Sequence, residues 1–211
     1  VGVNLPRGKN LVGAFHQPSS VLIEPRFVLT QSERDYRSGL AEIVKSALLA
    51  GDAELGQLEQ DWDALLSREL GAVERAVRMA LLVKAAVVSA DPRERGVRAF
   101  LNLGHTLGHA LESAGVLTHG EAVSVGLVAA LRASERLAGC SPALTATTRA
   151  LLERAGLPTA AGGDALARAG VLLGADKKRL GPDLTLVLLG GPGSPTQVAL
   201  PLADAHQVLF S

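Results

Sequence analysis

At 211 residues and 21.8 kDa the chain is long enough for one large domain or two small ones, with a core that needs no cross-links. An apolar fraction of 47% argues against disorder, and 21 basic against 21 acidic residues leave no electrostatic case for nucleic acid or an anionic membrane as main partner. The single cysteine, Cys140, excludes an internal disulfide framework and a cysteine-based zinc site, and fits a reducing compartment.

Residues 1–30 are rich in turn formers (Gly2, Pro6, Gly8, Gly13, Pro18) and contain a short apolar run at Ser20–Ile23. That pattern predicts loop followed by one buried strand. One strand cannot make a sheet alone, so this segment reads as the edge of an α/β domain lying upstream. The chain opens on Val1 rather than Met and is expected to be part of something longer. No apolar run reaches the roughly 18 residues of a membrane span, and no signal peptide is visible.

From Ser32 the period becomes helical, with Ser32 and Asp35 as a start signal and Leu40, Ile43, Val44 and Ala47 on one face. Further helices are predicted over 53–66, over 72–90 up to the Asp91-Pro92 break, and over 98–113. A long helix rich in Ala, Val and Leu follows over 121–137, expected to be buried on most sides. Another spans 144–155 and stops at Gly156 and Pro158. Leu184–Leu189 reads as a strand, Gly190–Gly193 as a turn, and Gln197–Leu200 as its hairpin partner, with a closing helix over 203–210. No repeat is present.

Chemistry concentrates in Asn102-Leu-Gly-His105-Thr-Leu-Gly-His109 and His119-Gly120-Glu121. His105 and His109 lie one turn apart on one helix face, and Arg98 and Asn102 extend the same stripe. Phe100, Leu103, Leu107 and Ala110 form the opposite, apolar stripe. Gly104 and Gly108 remove side chains beside the histidines, which would let backbone, metal or ligand come close. Imidazoles suit zinc, cobalt or iron, and His119 could complete such a site. The competing reading is that the histidines are surface or capping groups.

Glu42 and Lys45 share a helix face, as an exposed ion pair would. Lysine is scarce: against 16 Arg there are only Lys9, Lys45, Lys84, Lys177 and Lys178. A lysine kept in an arginine-rich chain suggests a need for a compact ammonium. Lys9, Lys45, Lys84, Arg98 and the 177–178 pair together would suit a small, highly anionic substrate such as a sugar phosphate bearing a carboxylate. By itself, Asp176-Lys177-Lys178 also reads as a solvated turn.

On these residues the chain strongly resembles the 3-dehydroquinate synthase family. The matching runs are Gly2-Val3-Asn4 with Gly8-Lys9-Asn10, Gly13-Ala14-Phe15 with Gln17-Pro18, and Ser38-Gly39-Leu40-Ala41-Glu42 with Lys45. They continue with Asn102–His105 and Gly108-His109-Ala110, His119–Val123, and Asp176-Lys177-Lys178. They occur in the family's order and are specific jointly rather than singly.

The resemblance implies a mainly α, multi-helical fold with a small β-hairpin, preceded by a strand and loop remnant of an α/β nucleotide-binding domain. It divides the chain into residues 1–30, the tail of the NAD-binding domain, and 31–211, a helical metal- and substrate-binding domain. It implies Glu42, His105 and His119 as ligands of one divalent metal, zinc or cobalt. His109, Lys45, Lys84, Arg98 and Asn102 match catalytic positions, and Lys9, Asn10, Glu94, Lys177 and Lys178 match substrate-binding ones. The implied reaction converts 3-deoxy-D-arabino-heptulosonate 7-phosphate to 3-dehydroquinate and phosphate in the shikimate pathway. It runs through transient NAD-dependent oxidation, phosphate elimination, reduction and intramolecular aldol closure.

Two departures accompany the resemblance. The Gly-rich NAD site of the family would lie upstream of Val1, so the chain alone is expected to be inactive. The stretch between His109 and His119 is short for the family, which would alter the approach of His119. A cytoplasmic homodimer is the implied assembly. Alternatives are a sister sugar-phosphate cyclase of the 2-deoxy-scyllo-inosose or valiolone type and a non-catalytic helical dimerisation domain. An iron-dependent alcohol dehydrogenase is disfavoured, since an Asp-x-x-x-His pair is expected there in place of Glu42 and Lys45.

Overall fold

The computed structural model describes the backbone of residues 2–5, 8–14, 16–93, 96–115, 117–180 and 183–210, and the side chains of these except 4, 8–11 and 174–180. The chain begins with an antiparallel hairpin, β1 (Gly2–Leu5) and β2 (Gly8–Gly13), in which Gly2 pairs with Gly13 and Val3 with Val12. The strand expected at Ser20–Ile23 is absent. That stretch belongs to no strand, and Leu22 is 96% exposed. An apolar run without a partner strand or a core to enter has nothing to hold it in a ladder. A short 3₁₀ helix, Pro25–Thr30, leads into the helical body.

Helix α1 (Glu33–Ala50) starts where Ser32 accepts a hydrogen bond from the Asp35 amide, satisfying an orphan donor of the first turn. Its buried face is Tyr36, Leu40, Ala41, Val44, Ala47 and Leu48. Helices α2 (Asp52–Leu66) and α3 (Leu70–Ala90) fold back on it and enclose Trp62, which is fully buried. A second 3₁₀ helix, Val97–Asn102, precedes α4 (His105–Ser113).

Helix α5 (His119–Leu137) carries a complete capping box: Thr118 accepts from the Glu121 amide and Glu121 accepts from the Thr118 amide. Then come α6 (Pro142–Arg154) and α7 (Gly163–Leu180). An antiparallel hairpin of β3 (Asp183–Leu189) and β4 (Pro195–Pro201) and the closing helix α8 (Leu202–Leu209) complete the chain. Among the described residues no helix is long and apolar enough to cross a membrane.

Helix α5 is the axis of the fold. Its Val123, Leu127, Val128 and Leu131 enter the large core shared by α1, α2, α3 and α6. Ala122 and Val125 face α4 and α7, and Ala133 faces β3 and α8. A helix enclosed on this many sides must be apolar nearly all round, as its sequence is. The polar groups it does bury are satisfied: Ser124 donates to the Pro158 carbonyl, and Ser134 accepts from the Leu189 amide while donating to Ala130.

Two expectations need correction. A continuous helix over 98–113 does not form, because Gly104 takes the left-handed conformation (φ 74°) and separates a 3₁₀ segment from α4. A β-carbon at Gly104 would also press on the Leu127 backbone, so the break and the close approach to α5 have one cause. The α7 helix has no counterpart in the sequence reading. Its Gly162-Gly163 start and small residues blur the period, and packing of Ala165 and Ala169 into the α4–α5 groove supplies the stability. Asp176, Lys177 and Lys178 therefore lie in the last turns of a helix, not in a turn between elements.

The α4–α5 contact yields the first prediction. A β-carbon on Gly126 would collide with the Gly104 carbonyl, which is backbone and cannot rotate away. Gly126→Ala should lower unfolding free energy by about 3 kcal/mol, the upper end for overpacking, measured by urea denaturation. Gly162→Ala, where nothing lies within 4 Å of the added carbon, is the neutral control.

Candidate metal centre and adjoining clefts

Glu42 projects from the middle of α1, His105 is the first residue of α4 and His119 the first of α5. The helix starts are held in place locally. Arg34 of α1 forms a two-pronged ion pair with Glu121 at 2.8 Å on each arm, and Ser38 accepts from the Gly120 amide at 3.0 Å. These bonds tie the first turn of α5 to α1, which brings His119 within reach of Glu42. The arginine holds the Glu121 carboxyl down at about 2, so the tie is ionic at neutral pH.

One ligand atom from each of Glu42, His105 and His119 lies within 4.8 Å of the other two. The Nε2 atoms of His105 and His119 stand 3.3 and 3.2 Å from the same oxygen, Oε1 of Glu42. The opposite ring nitrogens are already committed. His105 Nδ1 meets the Leu103 carbonyl at 3.1 Å, and His119 Nδ1 meets Oε2 of Glu112 at 3.1 Å. A carbonyl or a carboxylate can only accept, so each Nδ1 is the donor. In the neutral rings this leaves both Nε2 lone pairs aimed at an anionic oxygen.

Three facing lone pairs repel unless positive charge sits among them. A divalent cation is the economical source. Tetrahedral sites with bonds of about 2.0–2.1 Å have ligand–ligand edges of about 3.3–3.4 Å, close to the separations from Glu42 Oε1. The donor set is thus suited to zinc or cobalt.

Burial works to raise the Glu42 carboxyl, but hydrogen bonding and the Lys45 ammonium outweigh it and hold it well below the ordinary carboxylate range. Lys45 Nζ lies 2.6 Å from Glu42 Oε2, the oxygen away from the histidines. The Lys45 side chain is only 8% exposed, so this is no solvated surface pair. A buried ammonium needs its counter-ion, and each group orders the other.

A cleft of about 720 Å³ opens beside these groups, lined by Glu42, Lys45, Lys84, Arg98, Asn102, His105 and His119 together with apolar residues of α3. A second cleft of about 630 Å³ lies on the other side of Asn102 and His105 and is lined by His109, Thr106, Thr185 and Gln197 among others. His109 stands apart from the three-donor cluster, its ring centroid 5.0 Å from that of His105. The polar stripe read on one helix is therefore split between two elements, with Arg98 on the first cleft, His109 on the second, and Asn102 and His105 on both.

Other expectations fare differently. Of the three groups that Gly104 and Gly108 would admit, it is backbone that comes close: that of Leu127 beside Gly104, and that of Ala122 and Val123 beside Gly108. Glu94 and the side chains of Lys9, Asn10, Lys177 and Lys178 lie outside the described residues. Glu112 was given no role in the sequence reading. Its spacing of seven from His105 puts it on the histidine face two turns on, which is the signal that marks it.

The sequence profile described as "3-dehydroquinate synthase C-terminal" matches residues 39–179, and that described as "3-dehydroquinate synthase N-terminal" matches residues 1–38. The 3-dehydroquinate synthase of Halorhodospira halophila is 47% identical over 91% of this chain and 55% of its own length. That of Aeropyrum pernix is 42% identical over 99% of this chain and 58% of its own. Among solved structures, a 2-deoxy-scyllo-inosose synthase complexed with carbaglucose-6-phosphate, NAD+ and Co2+ superposes with a TM-score of 0.84 at 26% identity, over 99% of this chain and 60% of that one. The 2-epi-5-epi-valiolone synthase of Streptomyces hygroscopicus, with NAD+ and Zn2+ bound, gives 0.83 at 26% identity, again over 99% of this chain and 59% of that one. The chain thus spans somewhat more than half the length of the relatives it matches.

The donor geometry predicts unequal effects of two neighbouring substitutions. Glu42→Ala should weaken zinc binding by more than the roughly 10- to 100-fold lost with an outer-sphere partner, and Lys45→Ala by less than that. Competition against a chromophoric chelator measures both, and equal losses would contradict the assignment of Glu42 as a ligand.

Proposed function

Because the chain belongs to the 3-dehydroquinate synthase family, we propose that it supplies the metal- and substrate-binding part of an enzyme making 3-dehydroquinate. The substrate is 3-deoxy-D-arabino-heptulosonate 7-phosphate, and the products are 3-dehydroquinate and inorganic phosphate. The observation that carries the reading is the convergence of Glu42, His105 and His119 on one point beside a cleft that also holds Lys45, Lys84 and Arg98. We divide the chain into residues 1–30, the tail of an NAD-binding domain, and residues 31–211, the helical domain.

In this reading Glu42, His105 and His119 hold one zinc or cobalt ion. When bound, the metal supplies a Lewis acid for substrate oxygens on which negative charge develops. The remaining work falls to the chain's own side chains. Lys84 and Arg98 offer fixed positive charge at the cleft wall, suited to a phosphate and a carboxylate held apart on one small molecule. Lys45, anchored on Glu42, presents its ammonium at the border between metal site and substrate. Asn102 lines both clefts and can donate and accept toward hydroxyl groups in either. His109 stands one helical turn beyond His105, with a ring suited to exchange a proton with bound substrate. Lys9, Asn10, Glu94, Lys177 and Lys178 are assigned to substrate binding in the same proposal.

The family reaction also uses NAD as a transient hydride store. The described residues build only two-stranded antiparallel sheets, with no parallel sheet and Gly-rich turn to cradle a dinucleotide. We assign NAD to the portion of the relatives' length that this chain does not span. A cytoplasmic homodimer completes the proposal. The exposed Val21, Leu22, Phe27 and Leu29 before α1 are consistent with a surface that another body covers.

The test is release of phosphate from the heptulosonate phosphate by the whole reading frame, with NAD and zinc present, and identification of the carbocyclic product. Formation of 3-dehydroquinate with stoichiometric phosphate is expected. No turnover by folded protein that holds both metal and NAD would overturn it in favour of a sister cyclase acting on another sugar phosphate. Lys84→Ala should lower kcat/KM by roughly 100-fold through lost substrate positioning while zinc content stays unchanged.

A further inference from the structure

The two imidazoles of the centre are oriented by different means. His105 is nearly buried, with a side chain 9% exposed, and its Nδ1 is fixed by the Leu103 carbonyl. The backbone two residues upstream, across the Gly104 break, supplies that bond, so no side-chain substitution removes its acceptor. His119 is 46% exposed, and packing alone does not hold its ring. The partner of its Nδ1 is a side chain, Glu112, from the last turn of α4.

We propose that Glu112 is the positioning residue of the metal centre, acting through His119. It rests on the reading of Glu42, His105 and His119 as metal ligands. Glu112 selects the tautomer with the proton on Nδ1, which leaves the Nε2 lone pair for the metal. It also holds the ring plane so that Nε2 points to the place where Glu42 Oε1 and His105 Nε2 converge. A negative partner on the far nitrogen makes the imidazole a stronger donor. The Glu112 side chain is 19% exposed, less than half the exposure of the ring it holds.

Zinc affinity of the full chain, measured by chelator competition, tests this, together with the visible absorption of the cobalt-substituted protein. Glu112→Ala should weaken zinc binding roughly 10- to 100-fold and change the cobalt bands. Glu112→Gln, which keeps an acceptor but no charge, should lose less. In a His119→Ala background Glu112→Ala should add little, because the residue acts through that ring. Tight zinc binding by Glu112→Ala with an unaltered cobalt spectrum would overturn the proposal, as would an equal loss with and without His119. Thermal melting of the metal-free variants separates this role from a structural one, and melting points should match. If Glu112→Ala fails to fold, the isosteric Glu112→Gln carries the comparison, and unchanged affinity and cobalt spectrum there would overturn the claim. If the unsubstituted chain holds no zinc, the metal-site reading fails first; if it holds zinc and the Glu112 variants match it, only the role of Glu112 fails.

Discussion

Helix α4 lies against α5 so closely that side chains are excluded from the crossing. Gly104, Gly108 and Gly126 stand at the contact, and the Gly104 carbonyl occupies the space where a β-carbon on Gly126 would go. Everything at the centre follows from this approach. It sets His105 at the first turn of one helix near His119 at the first turn of the next. It also brings the α4 C-terminal turn, with Glu112, back beside His119. Looser packing would separate the donors, and the ordering of three lone pairs over a few ångströms would be lost.

The second requirement is that α1 present Glu42 to that pair of helix starts. Arg34, Ser38, Glu42 and Lys45 recur at intervals of three or four, so one stripe of α1 carries these polar contacts to α5 and to the centre. Arg34 grips Glu121, Ser38 binds the Gly120 amide, and Glu42 meets both histidines. The same stripe that fastens the helices also delivers the carboxylate. Lys45 continues it into the buried zone, where its charge balances the oxygen of Glu42 that faces away from the histidines. The opposite stripe, from Leu40 to Leu48, is sealed in the core and keeps α1 from rotating.

The polar centre is thus mounted on a rigid apolar frame, and the clefts lie where that frame is incomplete. One opens between α1, α3 and the 3₁₀ segment at 97–102, the other between that segment, α4, α7 and the β3–β4 hairpin. Asn102 and His105 form the wall between them. The cationic side chains of the first cleft and His109 of the second thus stand on either side of that wall.

Much of this was legible in the sequence. The Ser32 start signal, the apolar face of α1, the enclosed character of α5 and the β3–β4 hairpin all come from local chemistry and period, and each formed where expected. The gathering of Asn102, His105, His109 and His119 within a short stretch is likewise visible without coordinates. The sequence could not decide where a helix yields to a tertiary demand. Gly104 breaks the 98–113 segment because α5 needs the space, and Ser20–Ile23 stays unpaired because no strand lies beside it. Nor could it decide the meeting of Glu42 with His119, 77 residues apart, or the capture of His119 by Glu112. Period and capping act over a few residues and are written in the chain itself, whereas the direction of a lone pair depends on how two helices cross, which only their packing determines.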